Sequence, residues 1–344
     1  MLSNEHSLSI FAFSAQPDIS VEGRVAAPRA YILEPTTFRR VFVLCISLAV
    51  LLLCVEPLGA QLEKRLFTHN GYARPYLIYK PAHLSAHPAV VFMLGGVHST
   101  ALSESQEFGW VEEADRHGFI AVFPELVATR PDIPVDRRNN VTFWEMEGSR
   151  THLLAPGKLP VDDDGYLISV LHEVVGQEHI DRNRVFFAGF SSGSGMVQLF
   201  ASRHSREITA IAAAATPLMH PPLRLARPVA VLYFHGDNDE QFSGFEVNSL
   251  DFATTPHGNW VTWGYLDGCR RQTAEKTAWG VQFSWRDCNH HVPVVADFVA
   301  NLGHEWPGSS DSSWNQKKSP NASLDFTKMA WQFFSTAQTK PAKK

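Results

Sequence analysis

The chain has 344 residues, 44% of them hydrophobic and 19% charged, so it can bury a sizeable core and global disorder is excluded. Lys and Arg total 30 against 35 Asp and Glu, a net charge of −5, without the positive excess of a nucleic-acid or anionic-membrane binder. No apolar run reaches the roughly 18 residues of a spanning helix, which excludes a polytopic membrane protein.

Arg39 and Arg40 precede an apolar run from Val41 to Val55. Glu56-Pro57 breaks it, and Leu58-Gly59-Ala60 ends in two small residues. Positive flank, short apolar stretch and small-residue site predict a secretory signal cleaved after Ala60. Residues 1–60 then form an extension and leader, and 61–344 a single catalytic domain. Retention of the run as a membrane anchor is the alternative. Cleavage removes Cys45 and Cys54, leaving Cys269 and Cys288, which in an exported chain read as one disulfide rather than two separate buried thiols. Asn140-Val141-Thr142 and Asn321-Ala322-Ser323 are glycosylation sequons.

Tyr76 to Lys80 reads as an edge strand, and Ala89 to Leu94 as a buried strand running into Gly95-Gly96. Trp110 to Arg116 predicts a helix stopped by Gly118, and Phe119 to Phe123 a strand. Asp162-Asp163-Asp164 opens a helix with Leu167, Leu171 and Val174 on one face. Carboxylates suit a helix N-terminus, where they accept orphan N–H bonds; a calcium site is the lesser alternative. Val185 to Ala188 is strand-like and leads into a helix from Ser192 to about Ser202. Ile208 to Ala215, Val229 to Phe234 and Gln282 to Trp285 add strands, and Phe326, Met329, Ala330 and Phe333 form a helical stripe. This alternation predicts a mostly parallel sheet with helices on both faces.

The chemistry gathers at strand ends. Gly189-Phe190-Ser191-Ser192-Gly193 matches G-x-S-x-G between a strand and a helix. A serine on such a turn needs the glycines at 189 and 193 for clearance, and needs a base because its hydroxyl is a weak nucleophile. Among the histidines, His304 stands out in the bounded loop Gly303-His304-Glu305-Trp306-Pro307-Gly308. Asp239 follows the strand ending at Phe234. Ser191, Asp239, His304 is the nucleophile–acid–base order of α/β-hydrolases. The backbone N–H groups of Val97 and Ser192 are the expected oxyanion donors, with His98 a bystander.

These motifs, with Val161 to Tyr166, Ile180 to Val185, His235-Gly236-Asp237-Asn238-Asp239 and Trp263 through Cys269, resemble the secreted feruloyl esterase and polyhydroxybutyrate depolymerase family from about Gly71 to Phe334. The resemblance implies an α/β-hydrolase fold, Ser191, Asp239 and His304 as a triad, and a Cys269–Cys288 disulfide. Two departures stand out. Gly95-Gly96 replaces the family's His-Gly, and Phe143-Trp144 replaces its Cys-Trp, which removes a second disulfide.

The long polar segment from Val127 to Pro160 is expected to lie over the catalytic edge. Trp144, Trp260, Trp263, Tyr265 and Trp306 are candidates for an aromatic substrate wall. The resulting expectation is a secreted or periplasmic serine esterase that needs no metal or organic cofactor. It takes a small or polymeric ester, most readily a plant cell-wall ester, with no nucleic acid and no stable membrane partner. A hydroxyalkanoate depolymerase is the alternative within this class. A catalytically weak ligand-binding protein on a hydrolase scaffold is the alternative outside it.

Overall fold

A computed structural model describes residues 59–128, 142–146, 161–218, 222, 224–242, 259–313, 315 and 323–337. Of the expected leader, only Gly59 and Ala60 fall among them. The sequon asparagines Asn140 and Asn321, and most of the segment from Val127 to Pro160, lie outside.

Ten strands form one sheet: β1 (Gln61–Arg65), β4 (Tyr76–Lys80), β6 (Ile120–Pro124), β5 (Val90–Leu94), β7 (Val185–Phe190), β8 (Ala210–Ala214), β9 (Ala230–Gly236), β12 (Val294–Val299), β11 (Gly280–Arg286) and β10 (Arg271–Lys276), in that spatial order. β2 (Thr68–His69) and β3 (Tyr72–Ala73) make a separate small hairpin. The strands from β6 through β12 run parallel, while β1, β4, β11 and β10 are antiparallel to their neighbours. β5, β6, β7, β8 and β9 are buried at every position, as continuous apolar runs must be when helices cover both faces.

The helices are α1 (Ala101–Glu107), α2 (Trp110–His117), α3 (Asp163–Gln177), α4 (Ser192–Arg203), α5 (Asn259–Leu266) and α6 (Phe326–Thr336). Alternate side chains of a strand point to opposite faces, and β7 shows which helix takes which. Phe186 stacks on Phe334 of α6 at 4.7 Å, whereas Phe187 meets Phe200 of α4 at 5.0 Å. The central sheet therefore sits between α4 and α6, in the α/β-hydrolase arrangement.

Local signals work as their chemistry dictates. Gly118 ends α2 in the left-handed region, its N–H donating to the Ala114 carbonyl. Asp162 caps α3 by accepting the Gly165 N–H at 2.8 Å. The acidic cluster is spent on structure: Asp162 pairs with His69, Asp163 with the buried Arg74 at 2.6 Å, and Asp164 with His204.

Three elements correct the sequence reading. Tyr76–Lys80 is no edge strand, because β1 and β6 pair with it on both sides. The true edges are β1 and β10, polar segments without a strand pattern; every residue of β10 is exposed, and its charges discourage edge-to-edge pairing. Helix α1, absent from the sequence reading, begins at a Thr100–Ser103 capping box. Cys269 and Cys288 form a disulfide that joins the end of α5 to the end of β11. Among the described residues no helix is long and apolar enough to cross a membrane.

Candidate active site

The site lies where β7, β9 and β12 reach their carboxyl ends. Ser191 occupies the sharp turn from β7 into α4 with φ 53° and ψ −124°, a strained conformation for a residue with a side chain. Its N–H donates to the Ala214 carbonyl and its carbonyl accepts from Gly195, which fixes the turn from both ends. The turn permits no Cβ at its flanking glycines: one on Gly189 would lie 2.4 Å from the Gly193 carbonyl oxygen, and one on Gly193 would lie 2.0 Å from that of Leu94. The N-terminus of α4, with its orphan N–H groups and positive dipole end, opens directly on the serine.

Ser191, Asp239 and His304, far apart in sequence, come together. His304 Nδ1 lies 2.8 Å from Asp239 Oδ2 and its Nε2 lies 2.8 Å from Ser191 Oγ. An ionised carboxylate only accepts hydrogen bonds, so Nδ1 carries the proton and Nε2 is left to accept from the serine hydroxyl. The acid loop after β9 and the base loop after β12 are tied to each other. Asp237 N–H donates to the Val299 carbonyl, Asn238 N–H to that of Leu302, and Asn301 N–H to Asp237 Oδ1 at 2.6 Å. These loops follow adjacent parallel strands, so the register of β9 and β12 carries the Asp–His contact.

The electrostatics keep the acid charged. Burial works to raise the Asp239 carboxyl, but the hydrogen bond and charge of His304, the nearby His235 and the Gln241 N–H outweigh it. The carboxyl ends below its usual range. His235, on β9 itself, is buried against the Ala215 carbonyl at 2.9 Å, and burial lowers its affinity for a proton.

On the side where the oxyanion donors are expected, a Cβ on Gly96 would lie 2.9 Å from Ser191 Cβ, so the backbone at Gly96 passes directly over Ser191. Of the two expected donors, Ser192 is the first residue of α4 and directly follows Ser191, and Val97 follows Gly96 and is exposed.

Three of the residues expected in the aromatic wall do not face a substrate space. Trp144, Trp263 and Trp306 are each 0% exposed, and each indole N–H is spent inside the protein. Trp144 donates to the Gly95 carbonyl at 3.0 Å, Trp263 to Gln198 Oε1 at 3.0 Å, and Trp306 to Thr327 Oγ1 at 2.9 Å. Trp306 also packs edge-on against Phe108 and Phe326, bracing the His304 loop against α6. A buried indole finds a polar partner and serves the core, so these residues support the site from behind. Tyr265 is 80% exposed on α5, and the Trp260 side chain lies outside the described residues. Nothing in the sequence singles out Glu104, which lies fully buried against this loop.

The model of the family "Esterase PHB depolymerase" matches residues 74–219. The bifunctional acetylxylan esterase/xylanase XynS20E of Neocallimastix patriciarum is 22% identical over 247 residues, 70% of this chain. The match takes in only 32% of that protein, so the chain spans about a third of its relative's length. Among solved structures, an acetyl xylan esterase from Aspergillus awamori is 13% identical, covering 74% of this chain and 98% of its own with a TM-score of 0.49. A ferulic acid esterase is 15% identical, covering 53% and 81% of the two chains with a TM-score of 0.38. The sheet order and strand directions give the chain the α/β-hydrolase fold, and residues 74–219 are similar to that esterase family.

Proposed function

We propose that this protein is a secreted serine esterase that cleaves carboxylic esters of plant cell-wall polysaccharide by two-step acyl transfer. The observation that carries this reading is the continuous hydrogen-bonded chain from Asp239 through His304 to Ser191 on a strained strand-to-helix turn. His304 takes the Ser191 proton as Oγ attacks the ester carbonyl. The Val97 and Ser192 N–H groups receive the oxyanion, and the alcohol departs with the proton held on His304. Water, activated by the same imidazole, then releases the acid and frees Ser191. Asp239, kept ionised, holds the ring in one tautomer and stabilises the imidazolium. No step calls on a metal or organic cofactor.

The plant cell-wall substrate rests on the acetylxylan esterase relative, and export rests on the leader pattern and on the disulfide, a cross-link of oxidising compartments. The family match also supports polyester hydrolysis, which clearing of a hydroxyalkanoate suspension distinguishes from release of acetate or ferulate.

The test is a fluorophosphonate probe with peptide mapping. Label on Ser191, lost in H304A, is the expected result. S191A is expected to lower ester hydrolysis by about three orders of magnitude or more with folding intact. Folded protein that takes no label, or S191A with full activity, overturns the esterase reading in favour of a binding scaffold.

A further inference from the structure

Behind Ser191, the backbone of Gly95 is held at both of its polar groups, which belong to successive peptides. Gly95 N–H donates to Glu104 Oε1 at 2.7 Å, and the Gly95 carbonyl accepts from Trp144 Nε1 at 3.0 Å. Trp144 is itself backed by Arg74, whose guanidinium lies 6.0 Å from its ring and 3.7 Å from that of Tyr166. Glu104, on α1, is 0% exposed, and its second oxygen, Oε2, is buried without a hydrogen-bond partner. At Gly95 a side chain would meet those of Ser99 and Glu104. A Cβ would lie 2.4 Å from Ser99 Oγ and 2.6 Å from Glu104 Oε1. The Glu104 carboxyl fills the room beside the loop, so a histidine at this position would have to displace the Ser99 and Glu104 side chains.

A buried carboxylate with one N–H partner, one bare oxygen and no cation would be costly, whereas a neutral carboxyl makes the same bond to Gly95 without that cost. Burial pushes Glu104 well up; the Gly95 N–H opposes this, and the charges of Glu125 and Glu107 add to it. These are the groups that face it: Glu107 from α1 itself and, from the loop after β6, Glu125, whose Oε2 accepts the Ala101 N–H.

We propose that Glu104 is the positioning residue of the oxyanion loop: as a neutral carboxyl it holds the Leu94–Gly95 peptide while Trp144 holds the Gly95–Gly96 peptide, and so aims the Gly96-Val97 backbone at Ser191. This rests on the esterase reading of Ser191. Ionisation of Glu104 puts a negative charge beneath the loop that must receive a developing oxyanion, so turnover falls as pH rises through its titration.

The experiment compares wild type, E104Q and E104L by hydrogen exchange at the Gly95 amide and by the pH profile of p-nitrophenyl acetate hydrolysis. The Gly95 amide is expected to be protected in wild type and E104Q and to exchange freely in E104L. E104L is expected to lower kcat about a hundredfold with KM little changed, because a misplaced oxyanion donor acts on the transition state. E104Q, which mimics the neutral acid, is expected to recover most of that loss and to lack the alkaline fall in kcat. Full protection of Gly95 in E104L, or an E104Q variant as slow as E104L, overturns the proposal. Should E104L not fold, E104Q decides: an alkaline fall identical to wild type overturns it. Wild type that hydrolyses no ester removes the esterase reading, while exchange at Gly95 still decides whether Glu104 holds the loop.

Discussion

Two buried aspartates bracket β9, and they are tuned in opposite directions. At its carboxyl end Asp239 is 3% exposed, meets His304 and lies below the ordinary carboxylate range. At its amino end Asp267, 0% exposed, accepts the Val229 N–H at 3.0 Å, leaves Oδ2 bare, and is pushed by burial up to about 8. Burial alone would raise both. The difference is the partner: an imidazole that can take a positive charge keeps Asp239 ionised for chemistry, whereas a lone backbone N–H leaves Asp267 a neutral scaffold acid. The carboxyl end of β9 carries the charged acid and its amino end the neutral one.

The contrast is most severely tested by D239N. Losing the carboxylate removes the preferred His304 tautomer, so kcat is expected to fall by about 10⁴-fold with little change in Tm, measured by ester hydrolysis and thermal melts. D267N is the converse. Native Asp267 holds its proton up to about pH 8, while the unfolded chain releases it near its ordinary value. Between those values the folded state binds more protons, so wild-type stability falls as pH rises. Urea unfolding at pH 5 and pH 8 is expected to show this fall reduced in D267N by roughly 4 kcal/mol, with kcat unaffected. A D267N variant with the wild-type pH dependence breaks the comparison. The smallest effect belongs to the Cys269–Cys288 bridge, which lies just past Asp267. Replacing both cysteines by serine is expected to cost about 3 kcal/mol in the same measurement, again at constant kcat.

Much of this was legible in the chain. β5, β7, β8 and β9 are continuous apolar runs because helices cover both faces, and such runs are visible without coordinates. Ser191 is legible because its turn demands glycines at 189 and 193, and Asp239 and His304 because they follow strands in the right order. The edge strands β1 and β10, QLEKR and RQTAEK, are polar and owe their structure to pairing with a neighbour. The tryptophans misled because an indole suits an exposed wall and a packed core equally well. Glu104 gave no signal within ALSESQE, since its burial comes from the Gly95 loop folding back onto α1.

By itself the sequence determined the sheet's central strands and the glycine-flanked turn at Ser191, because each is written in contiguous residues whose local sterics or burial are legible, and the order of Asp239 and His304, because each follows a strand. Only the tertiary structure decided which indoles face inward, which carboxyls stay charged and what holds the oxyanion loop. Those properties belong to pairs brought together across the chain, Gly95 with Trp144, Asp239 with His304, Val229 with Asp267, and a pair's energy does not exist until both members share the same buried space.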